Sequence, residues 1–296
     1  MNRAGEGAAD QQLYRDRHFL VRDGLKLHYR DYPGSGDRPP LLCLPGLTRN
    51  ARDFAAFAEL HSPEFRVLAL DFRGRGESEY DPVPARYVPL TYAGDVLEFL
   101  DQLSIREAIF VGTSLGGLVT MTVAAISPDR IAAAILNDVG PDLSKEGLDR
   151  IRSYVGKDLR FTSWDEAARV IAQNNNHVPA SFSHADWVRM AHRLCREKDG
   201  GIVFDYDLAI ADPFNTAGPT PQFDMWPLFV ALAQKPLLVI RGEKSDLLTA
   251  AAAERMRSIA PQTKFAMVRG VGHAPELDEP EAVAPIDSFL EGLVGR

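Results

Sequence analysis

Ser114 lies in a pattern that suits a nucleophile. The segment from Gly112 to Gly116 reads G-T-S-L-G and fits G-x-S-x-G, with an apolar run before the serine and a helical pattern after it. A sharp strand-to-helix turn exposes such a serine, and it needs small flanking residues because neighbouring chain passes close by. A serine hydroxyl alone is a weak nucleophile at neutral pH, so the chain must also supply a base and an acid.

His273 is the histidine best placed to act as that base. It lies in the glycine-rich loop VRGVGHAPELDEP, directly after the last buried apolar run, whereas the other six histidines lie in N-terminal strand-like segments, at a helix end or in a helical insertion. Ligands of open α/β folds bind at the carboxyl edge of the sheet, which a side chain in this loop can reach.

Two aspartates are candidates for the acid that orients the base. Asp246 ends the segment PLLVIRGEKSD, in which a buried run passes into a polar turn, and Asp138 follows the run AAAIL. The chain order Ser114, Asp246, His273 is the one expected for a hydrolase built on an α/β sheet. We therefore predict Asp246 as the acid and keep Asp138 as the alternative.

An oxyanion that forms at the substrate carbonyl needs two fixed N–H donors. One is predicted to be the backbone N–H of Leu115, at the start of the helix after Ser114. The other is predicted to be the N–H of Leu47, in LLCLPGLTRN, because Gly46 permits a turn that points this group inward.

Six short apolar runs must position these residues. Runs of this kind, separated by helical patterns, predict strands buried on both faces of a parallel sheet and hence a doubly wound α/β domain. The runs cover residues 41–44, 66–70, 108–112, 132–136, 236–240 and 264–268.

The alternation of strand and helix stops after Pro141 and resumes near Trp226. Two capping-box patterns in this interval, at Ser163 and Ser183, predict helices, and the exit from it is rich in proline and glycine. We predict a core at residues 1–140 and 223–296 with a helical cap at 141–222. Large apolar side chains of this region, with Trp187, Met190 and Trp226 as the main candidates, are expected to line the substrate pocket beside Trp164, Phe182 and Phe214. The cap arginines are expected on its solvated face.

Composition excludes several classes of function. The net charge is −8 without a long basic cluster, which argues against a nucleic-acid partner. Cys43 and Cys195 lack the spacing of a zinc or redox motif, and no metal-ligand pattern is present, so no metal or cofactor is expected. No window is apolar enough for a membrane helix and no signal peptide is recognised, which predicts a cytoplasmic protein; the oligomeric state is left open.

The segments LPGLTRN, LDFRGRGES, GTSLGG, RGEKSD and GHAPELDEP together resemble the α/β-hydrolase family, in family order across about residues 40 to 285. The resemblance implies a mostly parallel eight-stranded sheet with helices on both faces and a helical cap inserted after strand 6. It also implies Ser114 as nucleophile, His273 as base and Asp246 as acid. The segment 71–78 matches a part of the family with a role in turn structure.

The expected activity is ester hydrolysis through an acyl-enzyme, on a small-molecule ester. Family members that cleave carbon–carbon bonds typically place Asn before the serine and Trp after the histidine, where this chain has Thr113 and Ala274. A carbon–carbon hydrolase or lactonase of the same fold remains the nearest alternative. A ligand receptor that retains the triad is the alternative of another class, and slow turnover of simple esters would distinguish it.

Overall fold

A computed structural model describes residues 13–35, 38–175, 182–213 and 224–293. Eight strands form one sheet. They are β1 (Arg15–Leu20), β2 (Lys26–Tyr32), β3 (Leu41–Leu44), β4 (Val67–Leu70), β5 (Ala108–Thr113), β6 (Ile131–Asn137), β10 (Leu237–Gly242) and β11 (Lys264–Val268). The spatial order is β1-β2-β4-β3-β5-β6-β10-β11.

Every pair of neighbours from β4 to β11 in this sheet is parallel, whereas β1 and β2 form an antiparallel edge. All six apolar runs singled out in the sequence are strands within a residue or two of their predicted bounds. Nearest-neighbour parallel pairing brings the carboxyl ends of β3, β5, β6, β10 and β11 to one edge of the sheet, where ligands of such folds bind.

The two faces of the sheet carry separate apolar layers. Alternate strand residues such as Leu42 and Leu44 pack on one side, and Leu41 and Cys43 on the other. The first layer includes side chains of α2 (Pro89–Gln102), α3 (Leu115–Ile126), α7 (Trp226–Leu232) and α8 (Ala250–Ile259); the second includes those of α1 (Ala55–His61) and α9 (Pro280–Glu291). The predicted placement of helices on both faces is therefore confirmed.

The sequence predicted a purely helical cap, but the part of the cap that the structure describes also contains strands. It contains α4 (Lys145–Tyr154), α5 (Trp164–Asn174), α6 (His184–Leu194) and an antiparallel three-stranded sheet. The strands are β7 (Arg160–Phe161), β8 (Cys195–Lys198) and β9 (Gly201–Phe204), in the order β7-β9-β8. Asp199 and Gly200 join β8 to β9 with positive φ angles of 48° and 75°, as a two-residue hairpin turn requires.

Two cap helices begin where the capping patterns predict. Ser183 and Asp186 form a complete capping box at α6, each side chain bonding the other residue's backbone N–H. At α5 the Ser163 side chain accepts from the Glu166 N–H, but the Glu166 carboxylate accepts from the Thr162 N–H at 2.7 Å. Both arrangements satisfy backbone donors that the helix leaves unpaired.

A buried carboxylate fixes the chain near the carboxyl end of β4. Asp71 accepts hydrogen bonds from His28 Nδ1 at 2.7 Å, from the Ala51 N–H at 2.5 Å and from the Glu77 N–H at 3.0 Å. The other ring nitrogen of His28 lies 3.0 Å from Asp16 Oδ1. These bonds support the predicted turn role of the segment that follows Asp71.

Candidate active site

Ser114 occupies the strained turn between β5 and α3. Its φ of 52° and ψ of −113° lie in a region that a residue with a side chain rarely adopts. The backbone on both sides holds it there, because the Ser114 N–H donates to the Asn137 carbonyl at 3.1 Å and the Ser114 carbonyl accepts from the Gly117 N–H at 2.9 Å. Such a conformation costs about 1–3 kcal/mol and aims the hydroxyl out of the turn.

Three glycines let the turn pack this tightly. A Cβ at Gly112 would lie 2.6 Å from the Gly116 backbone, and one at Gly116 would lie 2.0 Å from the Leu44 carbonyl oxygen. A Cβ at Gly117 would lie 2.3 Å from Val139 Cγ1. Gly112 and Gly116 of the G-x-S-x-G pattern, together with Gly117 after it, are therefore required by contact with α3, β3 and the chain after β6.

His273 lies in the loop after β11 and faces Ser114. Its Nε2 is 2.9 Å from Ser114 Oγ, and its Nδ1 is 2.8 Å from Asp138 Oδ2. An ionised carboxylate can only accept, so Nδ1 carries the ring proton and Nε2 is left to accept the Ser114 hydroxyl proton. The arrangement is that of a nucleophile, its general base and an orienting acid.

The acid beside His273 is Asp138, and the prediction of Asp246 is wrong on this geometry. Asp138 is fully buried, and its second oxygen, Oδ1, accepts from the Gly242 N–H at 2.9 Å. Asp246 instead forms a bidentate ion pair with Arg150, through Nε and through Nη2, the latter at 2.9 Å. Asp138, which the sequence analysis kept as the alternative acid, is therefore the aspartate that contacts His273.

Strand register explains this choice. Asn137 on β6 lies opposite Thr113 on β5, so the next residues, Asp138 and Ser114, leave the sheet side by side. Asp138 has a φ of 55°, and its N–H donates to the Ile240 carbonyl at 2.8 Å, which turns it towards the histidine loop. Asp246 lies four residues beyond the end of β10, and its carboxylate binds the cap.

Asn137 links the turn at Ser114 to the loop of His273, and it was not recognised from the sequence. We call the hydrogen-bonded series Ser114–His273–Asp138 the relay. Its Nδ2 donates to Thr113 Oγ1 at 3.1 Å and to the Pro275 carbonyl at 2.8 Å, while its backbone carbonyl accepts from Ser114. A single buried side chain therefore joins the residue before the nucleophile to the loop that carries His273. Its position at the strand end before Asp138 was the available signal.

The loop that carries Leu47 is held by a buried arginine. Arg75 Nε donates to the Leu47 carbonyl at 2.8 Å, and Arg75 Nη1 donates to the Arg73 carbonyl at 2.7 Å and to Tyr92 Oη at 2.9 Å. Within the described residues, neither the Leu47 N–H nor the Leu115 N–H donates to another protein group. Arg75 belongs to the segment to which the sequence assigned only a turn role.

A cavity of about 160 Å³ opens onto Ser114 and His273. Core residues on its walls include Leu47, Thr113, Asn137 and Glu276. Cap residues supply much of the remaining surface. They include Arg150, Ile151, Tyr154, Leu159, Ile171, Asn175, Leu194 and Phe204. The segment between β6 and β10 therefore covers the nucleophile, and its contribution to the wall combines apolar and charged side chains.

The three residues predicted to line the pocket do not line this cavity. Met190 is buried in the cap's own apolar cluster, and Trp187 packs against that cluster and edge-on against Phe182 at 5.0 Å between ring centroids. The Trp226 ring lies 3.9 Å from the Arg255 guanidinium carbon, on the core. Met190 and Trp187 help to form the apolar core of the cap, and Trp226 packs against the main core.

The other predicted pocket aromatics have different outcomes. Trp164 stacks on His192 at 3.8 Å between ring centroids, within the cap. Phe182 packs against the same cluster as Trp187 and is likewise absent from the cavity wall. Phe214 lies outside the described residues.

Charged groups at the cavity form ion pairs that link the core and the cap. Arg49 binds Asp53 and lies 3.7 Å from Glu276, which also accepts from Arg193 Nη2 of α6 at 2.5 Å. Together with the Arg150–Asp246 pair, these contacts place arginines of the cap at or next to the cavity. The expectation that the cap arginines face solvent is therefore wrong for Arg150 and Arg193.

No group of three or more His, Cys, Asp and Glu side chains suited to a metal ion occurs among the residues described. The helices in that same part of the chain include none long and apolar enough to cross a membrane.

Comparison with known proteins agrees with this architecture. The chain is 29% identical over 280 residues to the 3-hydroxybutyrate-oligomer hydrolase of Cupriavidus necator. The matched region covers 90% of this chain and 93% of the relative. It is also 29% identical over 282 residues to the 2-(acetamidomethylene)succinate hydrolase of Mesorhizobium japonicum, covering 93% of this chain and 96% of that one.

Among solved structures, an alpha/beta hydrolase from Novosphingobium aromaticivorans is 49% identical, with a TM-score of 0.89 over 94% of this chain and 98% of the other. The profile of the Alpha/beta hydrolase family matches residues 41–286, which include the nucleophile turn, the cap and the histidine loop. The chain is therefore a member of the alpha/beta hydrolase family.

Proposed function

We propose that this hydrolase cleaves carboxylic esters through a serine acyl-enzyme. The observation that carries the proposal is the continuous hydrogen-bonded series from Ser114 Oγ through His273 to Asp138, at 2.9 and 2.8 Å. The series opens into a cavity large enough for a small substrate. Its geometry suits acyl transfer, in which a base removes the proton of the attacking hydroxyl.

Each member of the series has one role in the proposed reaction. Ser114 Oγ attacks the ester carbonyl while His273 Nε2 takes its proton, and Asp138 stabilises the imidazolium that results. The tetrahedral intermediate expels the alcohol, which receives the proton from His273. Water, activated by the same base, then attacks the acyl-enzyme and releases the carboxylic acid and Ser114.

The Leu47 and Leu115 N–H groups are proposed to bind the oxyanion. Leu115 directly follows the nucleophile at the first position of α3, and Leu47 lies on the cavity wall in a loop held by Arg75. Two donors fixed before the reaction can stabilise charge as it develops on the carbonyl oxygen without reorganising.

One of the two relatives described above supports an ester as the bond that is cleaved. The Cupriavidus necator relative is named for the hydrolysis of 3-hydroxybutyrate oligomers, and an oligomer of a hydroxy acid is joined by ester bonds. Thr113 and Ala274 also differ from the residues typical of family members that cleave carbon–carbon bonds.

Labelling with a fluorophosphonate, followed by intact-mass analysis and peptide mapping, tests the nucleophile. One adduct per chain on Ser114 is expected, and Ser114→Ala should abolish both labelling and ester turnover. Ser127→Ala is a matched control, since Ser127 follows α3 and its side chain makes no capping bond. Retention of even a tenth of the activity in purified Ser114→Ala would exclude this nucleophile.

A panel of simple esters, assayed in parallel, tests the proposed bond. Stoichiometric labelling with almost no turnover of any ester would instead favour a receptor that retains the relay. Preferential cleavage of a lactone or a carbon–carbon bond would contradict the assignment to open-chain esters.

A further inference from the structure

Two arginines of the cavity wall are held in the same way. Arg49 uses Nε and Nη2 to bind the two oxygens of Asp53, and Arg150 uses the same two nitrogens to bind Asp246. A fork of this kind fixes the guanidinium plane and uses one edge of it. The Nη1 amino group of each arginine takes no part in the fork.

Both arginines line the cavity onto which Ser114 and His273 open, and the Arg49 side chain begins beside the nucleophile. A Cβ added at Gly46 would lie 3.3 Å from Arg49 Cγ and 3.8 Å from Ser114 Cβ, so both side chains border the same glycine. Tyr154 lies on the wall of the same cavity. Burial raises the pKa of its hydroxyl, and the positive charges of Arg150 and Arg49 act on it in the opposite direction.

Much of the remaining wall is apolar, and the carboxylates of Asp53 and Glu276, which also border the cavity, are each paired with an arginine. Ile151, Leu159, Ile171, Leu194 and Phe204 border the same cavity. The cavity therefore offers an apolar surface for the body of a substrate, with fixed cationic donors beside it. Neutral esters would leave these donors facing an uncharged group, which loses hydrogen bonds that a carboxylate would accept.

We infer that Arg49 and Arg150 bind a free carboxylate carried by the ester substrate, close to the bond that Ser114 attacks. This inference rests on the proposed ester hydrolysis and narrows its substrate class to esters that carry a carboxylate. Because Asp53 and Asp246 already balance the two arginines, recognition depends chiefly on charge-assisted hydrogen bonds from positioned donors and less on net charge.

Matched pairs of esters test the substrate class. One pair is 4-nitrophenyl hydrogen glutarate and 4-nitrophenyl pentanoate, with the carboxylate on the acyl side. The other is 3-(butanoyloxy)butanoate and its methyl ester, with the carboxylate on the alcohol side. We expect kcat/KM to favour the carboxylate by roughly tenfold or more in at least one pair. Values within about twofold of each other in both pairs would overturn the inference.

Substitutions at the Arg150–Asp246 pair test the same idea without depending on one variant. Arg150→Met should lower the ratio of carboxylate to neutral kcat/KM, whereas Asp246→Asn, which keeps the arginine and removes its counter-charge, should raise it. Arg152→Met removes a positive charge from the same helix at a side chain that is 42% exposed, and serves as the control. Equal ratios in Arg150→Met, Asp246→Asn and the unsubstituted protein would contradict the inference.

Failure of the inference and failure of ester hydrolysis give different results. If neutral and anionic esters are cleaved equally and Ser114 is labelled, the ester assignment stands and the carboxylate site does not. If neither member of either pair is cleaved, the proposed function itself fails.

Discussion

Asp138 Oδ2 and His273 Nδ1, 135 residues apart in the chain, are 2.8 Å apart in the fold. The contact joins the end of β6 to the loop after β11 across the intervening strand β10. The Gly242 N–H, at the end of that strand, donates to the other Asp138 oxygen. Both oxygens of this carboxylate therefore face a donor. The fixed carboxylate restricts the imidazole to one orientation and one tautomer.

Asp138→Asn should reduce kcat by roughly 10³- to 10⁴-fold, because an amide can donate to Nδ1 and stabilise the wrong tautomer. Asp246→Asn should lose far less activity on neutral esters. Steady-state kinetics on the two purified variants, at matched melting temperature, measure the difference. The reverse ranking would return the acid to the loop after β10.

Asn137→Leu should lower kcat by roughly 10- to 100-fold, since loss of its two donated bonds frees the loop that carries His273. KM should change little, because this residue acts mainly through the relay. Thr113→Val removes one of the two acceptors and should show a smaller loss in kcat. A variant of Asn137 that changes KM alone would show that it contacts substrate and does not position the base.

Gly116→Ala should destabilise the fold by about 2 kcal/mol or more, because the new methyl group would overlap the Leu44 carbonyl, a backbone atom that cannot move aside. Gly94→Ala, within α2, is the control. A Cβ there meets nothing within 4 Å, so a gain of about 0.5–1 kcal/mol is expected from helix propensity. Urea unfolding measures both; equal effects would contradict the packing at Gly116.

His28 should make stability depend on pH. Burial lowers the pKa of His28, but the hydrogen bonds and charges of Asp71, and then of Asp16, outweigh this and raise it above its ordinary value of 6.5. Since the folded state binds the proton more tightly than the unfolded chain, the added stability is complete below about pH 6.5 and is lost as pH rises through the folded-state pKa.

Urea unfolding at a series of pH values, compared with His28→Leu, isolates this contribution. Asp16→Asn should shift the loss to lower pH, because Asp16 is one of the groups that raise the histidine pKa. A difference between the unsubstituted protein and His28→Leu that grows with pH would contradict the expected sign.

The strands of the sheet and two residues of the relay, Ser114 and His273, could be predicted from local sequence. Buried apolar runs specify strands, and Gly112, Gly116 and Gly117 specify the turn around Ser114 because side chains there would overlap the backbone or Val139. His273 followed from its place after the last run. The strands and the turn depend on residues close in sequence, and the place of His273 follows from the rule that the loops after parallel strands meet at one edge of the sheet.

The acid did not follow, because its identity depends on three-dimensional pairing. Asp138 and Asp246 each lie after a strand, and chain order favoured the second. The register of Asn137 against Thr113 and the positive φ of Asp138 decide between them, and neither is visible in a single sequence. The same limit applies to Arg150, whose partner lies 96 residues away.

The small sheet of the cap could have been predicted from a hairpin pattern in the sequence. Asp199-Gly200 stands between the segments CREK and GIVF, and D-G between two short extended segments is typical of a hairpin. Trp187 and Met190 drew attention as pocket residues, but large apolar side chains in a small subdomain are needed first for its own core.

Ser114, His273 and Asp138 all come from chain outside 141–222, whereas much of the cavity wall comes from within it. If the proposed function holds, bond cleavage and substrate choice rest on different segments of the chain, and we expect that the inserted segment can be exchanged while the relay stays intact. One condition limits such an exchange. Asp246 of the core is paired with Arg150 of the insert, so a transplanted segment must bring a cation to that position to keep this ion pair.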